Sequence, residues 1–368
     1  MTLPVDYPEL AAATSRFRAG EPRAVSVGSD GARVVFLRSA GPESPADALW
    51  VFDVATGEER LVADPARLGD ASELPEAERA LRERLRLAAK GIGSYAIDPQ
   101  ARLAAFALGG ALVTVDLVTP GAEPVVRPVA SGVVDPRPDP SARKVAYVTE
   151  GTLRVLDLET GEDILLAGEQ DADQVTWGLA DFIAAEEFRR YRGYWWSPDG
   201  TSVLAARVDN SRVQRWHLHD PAHPNREPTT LRYPSAGTAN AEVTLHLLDL
   251  DGGWVDVHWD RETYPYLVSV AWSETGGPLV TVLRRLQQHG LVLAVDPRTG
   301  ETQVHAELAD PRWVEPVAGT PAYLPDGRVL IGGELAHDGF DARCLFADGG
   351  LLTPSSLYVR RVCGRLGS

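Results

Sequence analysis

Only two of the 368 residues are cysteine, Cys344 and Cys363. The strand-rich body of the chain has no disulfide framework, which suits a reducing compartment. No run of eighteen apolar residues occurs, so no membrane span is expected. Residues 1–20 have no apolar stretch and carry Asp6, Glu9, Arg16 and Arg18, which is not a secretory signal; the cytoplasm is the expected location. Cations are in short supply as well, with 36 Lys and Arg against 52 Asp and Glu and a formal net charge of -16. A nucleic-acid surface needs clustered cations, so none is expected. The acidity suits a cationic substrate, although by itself it speaks to solubility. Three motifs are also missing: a Gly-x-Ser-x-Gly nucleophile elbow, a phosphate-binding glycine loop, and a His-Glu-x-x-His zinc signature. The chain is therefore expected to hold no catalytic residue, no metal and no cofactor.

What is present is a repeated β unit. A turn of the Asp-Gly or Pro-Asp-Gly type leads into an apolar strand, and a second strand ends in Asp, often before Thr-Gly-Glu. The first copy runs Ser29-Asp30-Gly31, Val34 to Phe36, Leu49 to Asp53 and Thr56-Gly57-Glu58. The second starts at Asp98-Pro99 and includes Leu112 to Asp116; the third starts at Asp139-Pro140 and runs through Leu153 to Asp157 and Thr160-Gly161-Glu162. Later copies begin at Ser197-Pro198-Asp199-Gly200, Ser273-Glu274 and Leu324-Pro325-Asp326-Gly327. In the fourth, the second strand is displaced to Thr244 through Asp249. Asp-Gly fits turn positions that need positive φ, and the short Val- and Leu-rich strands alternate with polar positions. One such unit cannot bury both faces, whereas several stacked radially can. Six units predict an all-β fold, a β-propeller, against a sandwich pair or a solenoid.

Two helices interrupt the strands. Residues 73–90 (ELPEAERALRERLRLAAK) have Pro75 at the start and an apolar stripe of Leu74, Leu81, Leu85 and Ala88. Residues 180–191 (ADFIAAEEFRRY) form a shorter helix that Asp181 can cap. On this second helix, Glu186 and Glu187 place two carboxylates side by side, which favours a cation. A protonated peptide N-terminus offers three N–H donors for charge-assisted bonds to such a pair. The competing reading is a solvated helix face with internal ion pairs, Glu186 to Arg190 being well spaced at i,i+4. His217, His219 and His223 lie close together; His217 and His219 share a strand face that can suit a metal, the plainer reading being a polar strand end and loop.

Read together, neighbouring segments resemble the N-terminal β-propeller of the dipeptidyl peptidase IV family of prolyl oligopeptidase-like serine peptidases. The resemblance rests on Ala185-Glu186-Glu187-Phe188 through Tyr194-Trp195-Trp196-Ser197-Pro198-Asp199-Gly200, on Arg207-Val208-Asp209-Asn210-Ser211, on Tyr233-Pro234-Ser235-Ala236-Gly237-Thr238-Ala239-Asn240, and on Leu283-Arg284-Arg285-Leu286-Gln287-Gln288. It covers about residues 20–355. It implies an eight-bladed propeller that caps an α/β-hydrolase domain and gates access to it, in an enzyme that removes N-terminal dipeptides. It also implies that Glu186 and Glu187 hold the substrate ammonium, and that Trp313 walls the site near the first substrate side chains, unless Trp313 is an ordinary core residue. Some members use an Arg on an early blade for the substrate carbonyl; Ala104 through Val115 contains none, and no such role is carried over. The expected organisation is an N-terminal arm over 1–20, the propeller over 21–360 with about six recognisable blades, and an unplaced tail over 361–368. The hydrolase domain is absent, so this chain alone is expected to be inactive. Expected partners are peptides with free N-termini, the hydrolase domain of the full-length protein, and a second copy in a full-length homodimer, with no nucleic acid and no membrane. The alternative function is a non-catalytic propeller acting as a protein-protein interaction module.

Overall fold

The computed structural model describes residues 6–14, 16–41, 44, 46–68, 78–79, 82–83, 90–169, 174–337 and 340–363. Contacts group into two compact units, one up to Leu166 and one from Ala167 onward. Among the described residues each unit holds three sheets of four or five strands, each built on an antiparallel meander in chain order.

In the first unit a short helix α1 (Tyr7–Ala13), capped by Asp6, precedes the sheets. The first sheet is β1 (Arg23–Val27), β2 (Arg33–Ser39), β3 (Ala46–Asp53) and β4 (Glu59–Ala63), with β5 (Lys90–Gly91) parallel to β3. The second is β6 (Ala96–Ile97), β7 (Leu103–Leu108), β8 (Ala111–Asp116) and β9 (Val125–Val126); the third is β10 (Val134–Pro138), β11 (Lys144–Thr149), β12 (Thr152–Asp157) and β13 (Asp163–Ala167). Of the helix expected over 73–90, residues 78–79 and 82–83 are helical and Lys90 already belongs to a strand; the rest of that segment lies outside the described residues.

The second unit opens with β14 (Val175–Trp177), helix α2 (Phe182–Glu186), β15 (Tyr194–Trp196) and β16 (Ser202–Asp209). A separate hairpin of β17 (Arg215–Leu218) and β18 (Thr229–Arg232) follows, before β19 (Glu242–Asp249) and β20 (Trp254–Val257) complete the fourth sheet. The fifth sheet is β21 (Tyr266–Ser273), β22 (Gly276–Leu283), β23 (His289–Val295) and β24 (Thr302–Ala309). The sixth is β25 (Ala322–Tyr323), β26 (Val329–His337), β27 (Phe340–Ala347) and β28 (Gly350–Leu351). The six expected units are these six sheets.

The turn grammar has a common geometry. Gly31, Ala101, Ala142, Gly200 and Gly327 each donate their N–H to the carbonyl three residues earlier, and each has positive φ. Glycine enters that region freely, whereas alanine there is strained. Where alanine stands, a buried aspartate holds the turn. Asp98 Oδ1 accepts from the N–H of Arg102 and Leu103, both at 2.7 Å, and Asp139 Oδ1 accepts from Arg143 and Lys144 at 2.8 and 2.7 Å.

The inner strands bury both faces, which corrects the expectation of polar alternation. Ala104 and Phe106 of β7 pack with Val35, Leu37, Leu49 and Val51 of the first sheet, while Ala105 between them packs with Val145 and Tyr147 of the third. The same division recurs in the second unit. Val280 and Val282 meet Leu204 and Leu245, and Leu279 meets Tyr323 and Val329. Successive side chains point to opposite faces, so a strand sandwiched between two sheets needs an unbroken apolar run.

Candidate substrate-binding site

Helix α2 is an excursion from a strand. β14 pairs with Arg207 to Asp209 of β16, and β15 pairs with Val203 to Ala205 of the same strand. The two short strands thus form one interrupted edge of the fourth sheet, and residues 178–193 loop out between them. A bridge between Leu179 and Arg192 closes the stem. Gly193 is required there, because a Cβ would lie 2.3 Å from the Leu179 carbonyl oxygen.

Asp181 caps α2, its Oδ2 accepting from the Ala184 N–H at 3.2 Å. The helix ends at Glu186, with Glu187 as its C-cap residue, five residues short of the expected Tyr191. The cause is Arg189, which adopts φ 54° although no glycine marks the position; the Arg190 N–H then closes on Ala184 O at 2.9 Å. Leaving the helix carries Arg190 off the i,i+4 position relative to Glu186. Its guanidinium bonds instead to Asp181 Oδ1 at 3.1 Å, to Arg192 O at 2.7 Å and to Leu267 O on β21 at 3.3 Å. It also lies 5.9 Å from the Trp195 ring. Burial pushes its pKa down, partly opposed by Asp181. The side-chain carboxylate bonded to Arg190 is thus Asp181, while Glu186 and Glu187 are exposed.

Trp313 sits on the loop after β24 and is 49% exposed, so it is not a core residue. Asp310 Oδ1 accepts from the N–H of Arg312 and Trp313, which holds its carboxyl below the ordinary range. The indole Nε1 donates to Glu315 Oε2 at 3.1 Å. Next in sequence, Val314 shares an apolar cluster with Val268, Leu283, Tyr266 and Phe188, and its N–H donates to Gln287 O. Phe188 follows Glu187, so the acidic pair and the indole are carried by segments seated on one cluster.

Two of the other family-like segments join the same network. Phe182 of α2 meets Tyr233 edge-on at 5.2 Å, and Arg285 Nη2 donates to Thr238 O at 2.9 Å. Gln288 Nε2 donates to Pro311 O at 3.1 Å. Four stretches far apart in sequence are thus bonded into one patch of the second unit.

Comparison with known proteins gives this patch a context. Residues 105–347, well over half of the chain, match the family described as dipeptidyl peptidase IV (DPP IV) N-terminal region. The chain belongs to that family. Dipeptidyl peptidase 8 of Mus musculus is 30% identical over 143 residues, which is 33% of this chain and 16% of that protein. Inactive dipeptidyl peptidase 10 of Rattus norvegicus is 26% identical over 161 residues, 41% of this chain and 20% of that one. A crystal structure of Porphyromonas gingivalis dipeptidyl peptidase 4 superposes with a TM-score of 0.68 at 19% identity, covering 96% of this chain and 49% of that chain. That likeness concerns the fold, and with the family match it makes the DPP IV N-terminal region of this chain a β-propeller. The chain spans about half of that solved relative and less of the curated ones.

The histidines singled out for a metal stand elsewhere. His217 is on β17 with Nδ1 2.9 Å from Thr230 Oγ1, His219 lies just past the strand, and His223 pairs with Asp220 at 2.7 Å. No group of three potential ligands able to hold a metal exists among the described residues. Nor is any described helix long and apolar enough to cross a membrane. A cluster on the fourth sheet was not foreseen. His246 contacts Thr244 Oγ1 through Nε2 and Asp256 Oδ1 through Nδ1, both at 2.7 Å, between Trp177 and Trp254 with ring centroids 4.9 and 5.0 Å away.

Proposed function

We propose that this chain is the substrate-gating and N-terminus-recognising propeller of a serine dipeptidyl peptidase, with Glu186 and Glu187 holding the ammonium of the peptide and Trp313 flanking its first side chains. The observation that carries this reading is the exposure of both carboxylates, side by side at the C-terminal end of α2. Two carboxylates so placed attract one cation strongly, since each charge-assisted hydrogen bond contributes about 1.5–3 kcal/mol. The network joining Phe188 to Val314 supports assigning the indole to the same site. Covalent catalysis needs a nucleophile, which in this reading comes from an α/β-hydrolase domain outside the chain. The cytoplasm is the location proposed with it. A direct test is titration of the chain with alanyl-prolinamide and with its N-acetyl derivative. Saturable binding of the free amine alone supports the reading, and equal behaviour of the two peptides overturns it.

A second reading draws on the relative named as an inactive dipeptidyl peptidase: a propeller that recruits a protein partner without peptidase chemistry. The retained acidic pair favours the first reading, because an interaction module has no need to bind free amines.

A further inference from the structure

The loop after β24 holds one indole in a fixed place at the surface. Asp310 Oδ1 accepts from the N–H of Arg312 and Trp313 at 2.7 and 2.8 Å, and Gln288 Nε2 donates to the Pro311 carbonyl at 3.1 Å. Val314, 7% exposed, is sunk among Val268, Leu283 and their neighbours. On either side of this buried valine, Trp313 and Glu315 are exposed. They meet there, the indole Nε1 donating to Glu315 Oε2 at 3.1 Å.

This pair has the chemistry of a cation site. The face of an indole attracts cations more strongly than that of any other side chain. An N–H that donates to a carboxylate polarises the ring further in the same direction. The carboxylate adds a full negative charge at the ring edge. An ionised carboxylate offers about four lone-pair positions, of which the indole takes one. Among the described residues Glu315 has no cationic partner.

Resting on the reading that Trp313 flanks the first side chains of the peptide, we infer that Trp313 and Glu315 select a cationic first residue, lysine or arginine. The aliphatic stem of such a side chain lies along the indole while its charged head reaches Glu315, as long cationic side chains do on apolar surface. The two charges of the peptide are then divided. Glu186 and Glu187 take the terminal ammonium, and Glu315 takes the side chain. A neutral first residue gains only apolar contact with the ring, and an acidic one is repelled by Glu315.

The experiment is titration of the 368-residue chain with lysyl-prolinamide and norleucyl-prolinamide, whose first side chains differ by the terminal ammonium alone. The lysyl peptide is expected to bind about three- to tenfold more tightly, the combined size of a surface cation–π contact and a surface ion pair. Glu315→Gln keeps an oxygen for the indole N–H and removes the charge; it is expected to bring the two affinities within about twofold of each other. Trp313→Leu removes the ring and is expected to lower the ratio as well. The ratio is taken within each protein, so a loss of folded fraction, which weakens both peptides alike, does not imitate the result. Equal binding of the two peptides by the parent overturns the inference. A lysine preference undiminished in either variant also overturns it, by tracing the preference to the general acidity of the chain. In both cases norleucyl-prolinamide still binds. A parent chain that binds neither free-amine peptide overturns the proposed function itself and the inference with it, which distinguishes the two failures.

Discussion

Arg285 donates to the carbonyl of Thr238 at 2.9 Å, joining two interstrand connections of the second unit. Thr238 belongs to the connection from the β17–β18 hairpin to β19, and Arg285 to the turn after β22. Two residues past Arg285, Gln287 takes φ 52° and its carbonyl receives the Val314 N–H. One turn therefore holds the hairpin connection on one side and the Trp313 loop on the other.

The repeated turns give a pair of opposed stability predictions. Asp139 is 2% exposed and accepts two backbone N–H groups on Oδ1 and a third on Oδ2. Asp139→Ala leaves these donors unmet and is expected to cost about 2–4 kcal/mol, because one unsatisfied buried group costs about 1–3. At Ala142, with φ 60°, Ala142→Gly relieves backbone strain of about 1 kcal/mol and raises the melting temperature. Denaturant unfolding measures both, and a stabilising Asp139→Ala or a destabilising Ala142→Gly contradicts the account.

The stem of the α2 excursion has no room for a side chain. Gly193→Ala drives a methyl group into Leu179 O, and overpacking of this kind costs about 1–3 kcal/mol. Gly41, with nothing within 4 Å of the same built atom, is the control. Thermal melting is expected to separate the two alanine variants clearly; equal melting temperatures sink the close-approach argument.

His246 supplies a pH dependence. Burial pushes its pKa below the ordinary 6.5, and the bond to Asp256 opposes the shift only in part. The unfolded chain then binds the extra proton first. The stabilisation is fully present above the ordinary histidine value and is lost as pH falls through the depressed folded one. His246→Gln is expected to flatten the fall of melting temperature between about pH 7 and pH 5. An NMR titration placing the folded His246 at or above 6.5 contradicts this.

Much of the fold was legible because turns and strand ends are local chemistry. Asp53 and Asp157 end their strands by accepting N–H groups two and three residues on, which is what the Asp and Thr-Gly-Glu spacing announced. The end of α2 was not legible, since a left-handed Arg189 carries no glycine signal. Nor was the burial of Arg190, because its partners Asp181 and Leu267 meet it only through tertiary packing. The Thr244–His246–Asp256 array was missed for a related reason: it spans two strands, and its register depends on how β19 pairs with β20.

The central claim is that Glu186 and Glu187 together hold a peptide ammonium, and the most direct measurement is the dissociation constant of alanyl-prolinamide for the chain, for Glu186→Gln, for Glu187→Gln and for the double variant. Each single substitution is expected to weaken binding by about ten- to a hundredfold, the loss of one hydrogen bond to a charged group. The double variant is expected to weaken it further, with the N-acetyl peptide equally weak for all four proteins. Parent-like binding of the free amine by both single variants would contradict the account and leave the acidic pair a solvated helix end.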